Sequence, residues 1–211
     1  ELFDRVIKVY EEERELTVML LVDISGSLKF GSVMRTQREL VTEIAATVAF
    51  SALQNNDKVG MILFSDKVEK YITPKKGRKH ILYIIRELLD FEPTQQSTDI
   101  RGGLEFLMQV QRRHCIGFLL SDFIDSPDFE QQLSIARHKH DIVAVKVYDQ
   151  RMKELPNVGL MKLQDAETGI SVFVDSSSKS VRDQHKIWWN NEVEKLDIVF
   201  RRCKVDYISI G

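Results

Sequence analysis

Leu16-Thr17-Val18-Met19-Leu20-Leu21-Val22-Asp23-Ile24-Ser25-Gly26-Ser27 decides how the rest of the chain is read. Leu16 to Val22 is almost wholly apolar, the pattern of a central strand covered on both faces. It runs into a carboxylate and two hydroxyls at alternate positions, Asp23, Ser25 and Ser27. A long helical pattern then opens near Thr36 and continues to about Leu53. Where a strand gives way to a helix, such a loop can turn three oxygens to one side. Hard divalent cations take oxygen donors, and Mg2+ keeps several waters beside few carboxylates. The loop therefore reads as half of an open Mg2+ site, although Asp, Ser and Gly are also ordinary turn formers and Ser an ordinary helix cap.

Outward from this loop, strands and helices alternate. Leu40, Val41, Ile44, Ala45, Val48, Ala49, Ala52 and Leu53 form an amphipathic stripe. Val59–Phe64 is a second strand, and Val68–Ile72 pairs with it across Ser65-Asp66-Lys67. Pro74 and Gly77 break the chain. His80–Leu89 is helical, Phe91–Ser97 is a loop, and Thr98 to about Arg113 is a helix capped by Thr98, with Ile100, Leu104, Leu107 and Met108 inward. Ile116–Leu120 is a strand, Asp128–His138 a helix and Ile142–Val147 a strand. Gly159–Leu163 and Ile170–Val174 make a hairpin across Asp165–Gly169. Lys179–Cys203 is a last helix and Val205–Ile210 a last strand. Arg5–Tyr10 reads as an edge strand and Glu11-Glu12-Glu13 as a solvated turn. This alternation predicts an α/β fold with a mostly parallel sheet, helices on both faces and antiparallel strands from the hairpins at the edges. No linker or repeat splits residues 1–211, so one domain is expected.

Composition narrows the class. The chain has 211 residues, 43% apolar and 29% charged, with a formal net charge of −2. That balance carries no basic face of the kind nucleic-acid binding needs. Cys115 and Cys203 have no metal-ligand spacing and read as buried, reduced thiols, in keeping with a cytoplasmic protein. No apolar run reaches the length of a membrane span and no signal peptide is visible. The start at Glu1 and the stop after a strand suggest a piece trimmed from a longer chain.

Ligands of open α/β sheets collect at the carboxyl ends of strands. Asp23 and Asp122 each end an apolar strand there, and Thr98, at a helix N-terminus leading into the second of them, lies on the same edge. The set Asp23-Ile24-Ser25-Gly26-Ser27, then Ser97-Thr98-Asp99-Ile100, then Leu119-Leu120-Ser121-Asp122-Phe123 resembles the metal-ion-dependent adhesion site of von Willebrand factor A-type domains. All five positions (Asp23, Ser25, Ser27, Thr98, Asp122) carry the expected types in the expected order. Tyr10–Leu16, Asn56-Asp57-Lys58-Val59-Gly60, Leu120–Phe123 and Asp165-Ala166-Glu167-Thr168-Gly169 are similar to the bacterial "domain of unknown function 58" family, which contains this A-type domain.

That resemblance implies a three-layer Rossmann-like fold. It also implies a divalent ion, Mg2+ or else Mn2+ or Ca2+, on Asp23, Ser25, Ser27, Thr98 and Asp122, and work alongside a MoxR-type AAA+ ATPase. Two carboxylates and three neutral hydroxyls leave the ion electrophilic, so an Asp or Glu of a partner protein can replace a bound water. Leu28 and Phe30 follow the loop and would add apolar contact to a partner. Asp125 is read as a group one step out from the ion, and Asp99 as first-turn helix charge.

The rival reading is a Mg2+-dependent phosphohydrolase. Such chemistry needs a nucleophilic carboxylate, usually a second acid two residues on, and a basic residue on the phosphoryl group. Position 25 is Ser, and no Gly-rich phosphate loop occurs. The remaining features have ordinary readings. The five histidines are scattered, with His138 and His140 in a loop or surface role. One of Trp188 and Trp189 packs on the sheet, and Lys75–Lys79 is a solvated basic loop.

Overall fold

The computed structural model describes residues 15–25, 31–32, 35–92, 97–124, 128–164 and 171–211. Its elements in chain order are β1 (Thr17–Asp23), β2 (Gly31–Ser32), β3 (Arg35–Thr36), α1 (Gln37–Gln54), β4 (Lys58–Phe64), β5 (Val68–Lys75), α2 (Arg78–Asp90), α3 (Ile100–Val110), β6 (Ile116–Ser121), α4 (Glu130–Lys139), β7 (Asp141–Val147), α5 (Gln150–Lys153), β8 (Leu160–Gln164), β9 (Ser171–Asp175), α6 (Lys179–Cys203) and β10 (Asp206–Ile210). The expected edge strand Arg5–Tyr10 and the turns at Glu11–Glu13 and Asp165–Gly169 lie outside the described residues.

Six strands form the central sheet in the order β10-β7-β6-β1-β4-β5. All neighbours are parallel except β4 and β5, which pair antiparallel at one edge. The apolar run read from sequence sits centrally, and alternation decides which layer each of its residues joins. Val18, Leu20 and Val22 pack with Val41, Ala45 and Ala49 of α1 and Ile81 and Ile84 of α2. Met19 and Leu21 pack with Leu104 and Leu107 of α3, Leu133 of α4 and Phe200 of α6. Helices thus cover both faces, giving a three-layer α/β architecture with an antiparallel edge strand.

Several local expectations are corrected. The third helix starts at Ile100, and its cap is Asp99, whose Oδ1 accepts from the Gly102 N–H at 3.1 Å. Thr98 precedes the cap, and Asp99 is the cap itself and not a first-turn charge. The helix also ends at Val110, short of Arg113. α4 begins at Glu130, with Asp128 bonding the Glu130 N–H from outside. β5 runs on through Pro74, where a break was expected. An edge strand tolerates a residue without an N–H, and the register shifts between Val59 and Met61 opposite it. The hairpin β8–β9 is a separate two-stranded sheet and adds nothing to the edge of the main one. His140 is buried, not on a surface: its Nδ1 lies 3.3 Å from Cys115 Sγ. Cys115 and Cys203 are free and buried as expected, and Trp189 is buried while Trp188 is exposed. Lys76 of the basic loop is paired with Glu15 at 2.6 Å.

Candidate metal centre

Parallel strands end together, so three neighbours in the order β6-β1-β4 bring their following loops to one edge. Asp23 is the last residue of β1. Its Oδ1 accepts from the Ser25 N–H at 2.9 Å, which turns the chain back on itself. The Ile24 N–H donates to the Phe64 carbonyl at 2.9 Å and ties this turn to the end of β4. From the other side, Ser121 Oγ of β6 donates to Asp23 Oδ2 at 2.7 Å, while accepting from the Phe123 N–H at 3.0 Å. Asp122 follows directly, and its Oδ1 accepts from the Ile124 N–H at 3.1 Å.

Thr98 reaches the same edge through β4. The Asp99 N–H donates to the Ser65 carbonyl at 2.7 Å, which docks residues 97–99 just past the end of that strand. Asp23, Ser25 and Asp122 are fully buried and Thr98 is 6% exposed. Four of the five residues singled out from sequence therefore gather at the carboxyl ends of three adjacent strands. Ser27 lies outside the described residues, as do Leu28, Phe30 and Asp125.

The environment fits an ion. Thr98 Oγ1 is buried with no hydrogen-bond partner among the described residues. An unsatisfied buried hydroxyl costs about 1–3 kcal/mol, which a coordination bond would offset. Two carboxylates lie buried at adjoining strand ends, an arrangement that calls for positive charge. Among the described residues no cluster of three or more His, Cys, Asp or Glu side chains could hold a metal. The donor set is the weaker one of two carboxylates with hydroxyls, suited to hard cations.

Two contributors escaped the sequence reading. Ser121 looked like strand end, yet it bonds Asp23. Lys146 lies in the apolar strand β7, 1% exposed, with Nζ 4.9 Å from the Trp189 ring centroid. Burial pushes its ammonium pKa down, while Asp122, then Glu192 and Asp197, hold it up. A lysine inside Ile142–Val147 was a visible signal, since such a run has no exposed face on which to place it.

Comparison with known proteins gives this edge a context. The family model described as "Protein of unknown function DUF58" matches residues 4–193. The uncharacterized protein Rv1480 of Mycobacterium tuberculosis (strain ATCC 25618 / H37Rv) is 29% identical over 160 residues, 75% of this chain and 50% of the relative. Mb1516 of Mycobacterium bovis, also uncharacterized, matches to the same extent. The chain thus spans about half the length of these curated relatives. Among solved structures, BatB from Bacteroides thetaiotaomicron superposes with a TM-score of 0.61 at 15% identity, covering 93% of this chain and 90% of that one. An aerotolerance-related membrane protein from Bacteroides fragilis gives 0.62 at 15%, covering 93% and 92%. Proximal thread matrix protein 1 from the mussel byssus gives 0.51 at 16%, covering 63% and 38%. At these identities the likeness is one of fold.

Proposed function

We propose that this chain, which belongs to the DUF58 family of proteins of unknown function, is a Mg2+-dependent protein-interaction module that captures a partner's carboxylate. Asp23, Ser25, Thr98 and Asp122, with Ser27 completing the set, would hold the ion. Bound there, it would supply an electrophilic vertex to which an Asp or Glu side chain of another protein can bind. The observation that carries this reading is the buried hydroxyl of Thr98, without a partner among the described residues, on the strand-end edge where Asp23, Ser25 and Asp122 collect. Mn2+ and Ca2+ suit the same oxygens. The partner we propose is an AAA+ ATPase of the MoxR type, and the setting the bacterial cytoplasm, supported by two free buried thiols. Among the described residues no helix is long and apolar enough to cross a membrane.

The test is a pull-down from lysate and with the purified ATPase, with Mg2+ or with chelator, repeated with Ser25→Ala and Asp122→Ala. Capture that depends on Mg2+ and is lost in both variants supports the reading. Capture indifferent to ion and substitutions overturns it.

The phosphohydrolase reading gains no support from the site. Among the described residues, the lysine that interacts with Asp122 is Lys146, and it is buried against the Trp189 ring. Mg2+-dependent turnover of a phosphomonoester, abolished by Asp23→Asn, is the result that would favour the enzyme.

A further inference from the structure

Lys146, Ser121 and Asp23 form one row across three adjacent strands. Lys146 is in register with Ser121 in the β6–β7 pair, and Ser121 donates to Asp23 Oδ2 on β1. Ile142 and Ala144, which alternate with Lys146 along β7, pack in the layer that contains Phe200 of α6. Lys146 continues that face, where Trp189 of the same helix lies over its ammonium. Trp189 is itself 4% exposed and also touches the Tyr148 ring, with centroids 5.6 Å apart. The side chain is thus closed off from solvent. A buried ammonium persists where opposite charge lies close. Asp122, next in sequence to the register partner Ser121, does most among the acids to hold its charge against the burial that pushes its pKa down, ahead of Glu192 and Asp197.

We infer that Lys146 is the resident counter-charge of the candidate metal centre, balancing its carboxylates when no ion is held and opposing an ion that enters. The inference rests on the metal-binding reading above and deepens it. A cation buried on the same row as the ligands would share their carboxylates with the metal. The result is a site whose grip on the ion is weakened from inside the fold. An ion held loosely by its own protein gains more from a partner's carboxylate, which brings the missing negative charge. Lys146 thereby couples ion retention to docking.

The test is calorimetric titration of the 211-residue chain with Mn2+, alongside Lys146→Met, Lys146→Gln and Ser25→Ala. Removing one unit charge from a poorly screened position should tighten Mn2+ binding by about tenfold or more in both neutral variants. Melting curves with and without Mn2+ accompany the titrations, and a Lys146→Met chain that recovers its fold only with Mn2+ also supports the inference. Affinity unchanged or weakened in Lys146→Gln, with Ser25→Ala still abolishing binding, removes Lys146 from the site and leaves the metal centre standing. No Mn2+ bound by the unsubstituted chain or any variant overturns both the inference and the reading beneath it.

Discussion

Ser121 Oγ and Asp23 Oδ2 lie 2.7 Å apart across the β6–β1 boundary, a charge-assisted bond in a fully buried setting. The same oxygen accepts from the Phe123 N–H, so one hydroxyl orients the first candidate ligand and the backbone beside the last. Ser121→Ala removes a donor from a carboxylate and an acceptor from a buried amide together. The expected loss is about 2 kcal/mol of unfolding free energy, read from the urea midpoint at unchanged slope. A loss indistinguishable from zero would mean that neither group depends on Ser121.

Thr98 and its neighbour Asp99 separate a candidate ligand from a cap. Thr98→Val keeps the shape and deletes the orphaned hydroxyl, so the ion-free protein should be as stable as before or up to about 1 kcal/mol more stable. Its melting temperature should no longer rise with Mn2+. Asp99→Ala should behave in the opposite way, losing about 1 kcal/mol with the cap while keeping the Mn2+ response. Thermal unfolding of both variants with and without the ion reads all four outcomes.

His140 gives the fold an acid-side weakness. Burial, followed by the charges of Lys139 and His114, lowers its pKa from 6.5 to about 4. The unfolded chain therefore takes up this proton first as pH falls through 6.5, and the folded chain follows only near 4. Stability should decline across that window by up to about 3 kcal/mol and level off, for this group, below it. In His140→Gln that share of the slope should vanish, which urea titrations at a series of pH values will register. An unaltered slope would place the acid sensitivity in other groups.

Gly60 lies where the edge strand's register shifts. A β-carbon there would sit 2.7 Å from Met19 Sδ, 2.9 Å from Pro74 Cγ and 3.0 Å from the Ile72 carbonyl oxygen. The thioether can yield, but the proline ring and the backbone cannot do so cheaply. Gly60→Ala should destabilise the chain by about 1–3 kcal/mol in denaturant unfolding, with the Mn2+ response intact because the clash is remote from the carboxyl ends.

Much of the architecture was legible because it is written in periodicity. Lys179–Cys203 was bounded correctly as a helix, and the run from Leu16 foretold a central strand. What periodicity does not encode is choice of neighbour. The alternation of β8 and β9 says that they pair with each other, not that the pair stands apart from the main sheet. Thr98 and Asp99 are both cap-forming types, and only the Gly102 contact tells which one caps. The candidate ligands Asp23, Ser25, Thr98 and Asp122 are each ordinary at a strand or helix boundary and could be named because together, in order, they fill the pattern of the adhesion site that the chain resembles. Ser121 and Lys146 could not be assigned to the site, since their contributions depend on strand register and on a tryptophan 43 positions away in sequence from Lys146.

Phe123, the residue after Asp122, has a left-handed backbone with φ 55° and a buried side chain. Its ring is clasped between Phe129, 5.9 Å away, and Phe200 of α6, 5.3 Å away and edge-on. A phenylalanine adopts that conformation only when its surroundings compel it. The backbone that carries the Asp122 carboxylate is thereby held in place by aromatic packing. If Asp122 serves as a ligand, it would surrender little conformational freedom on taking up an ion.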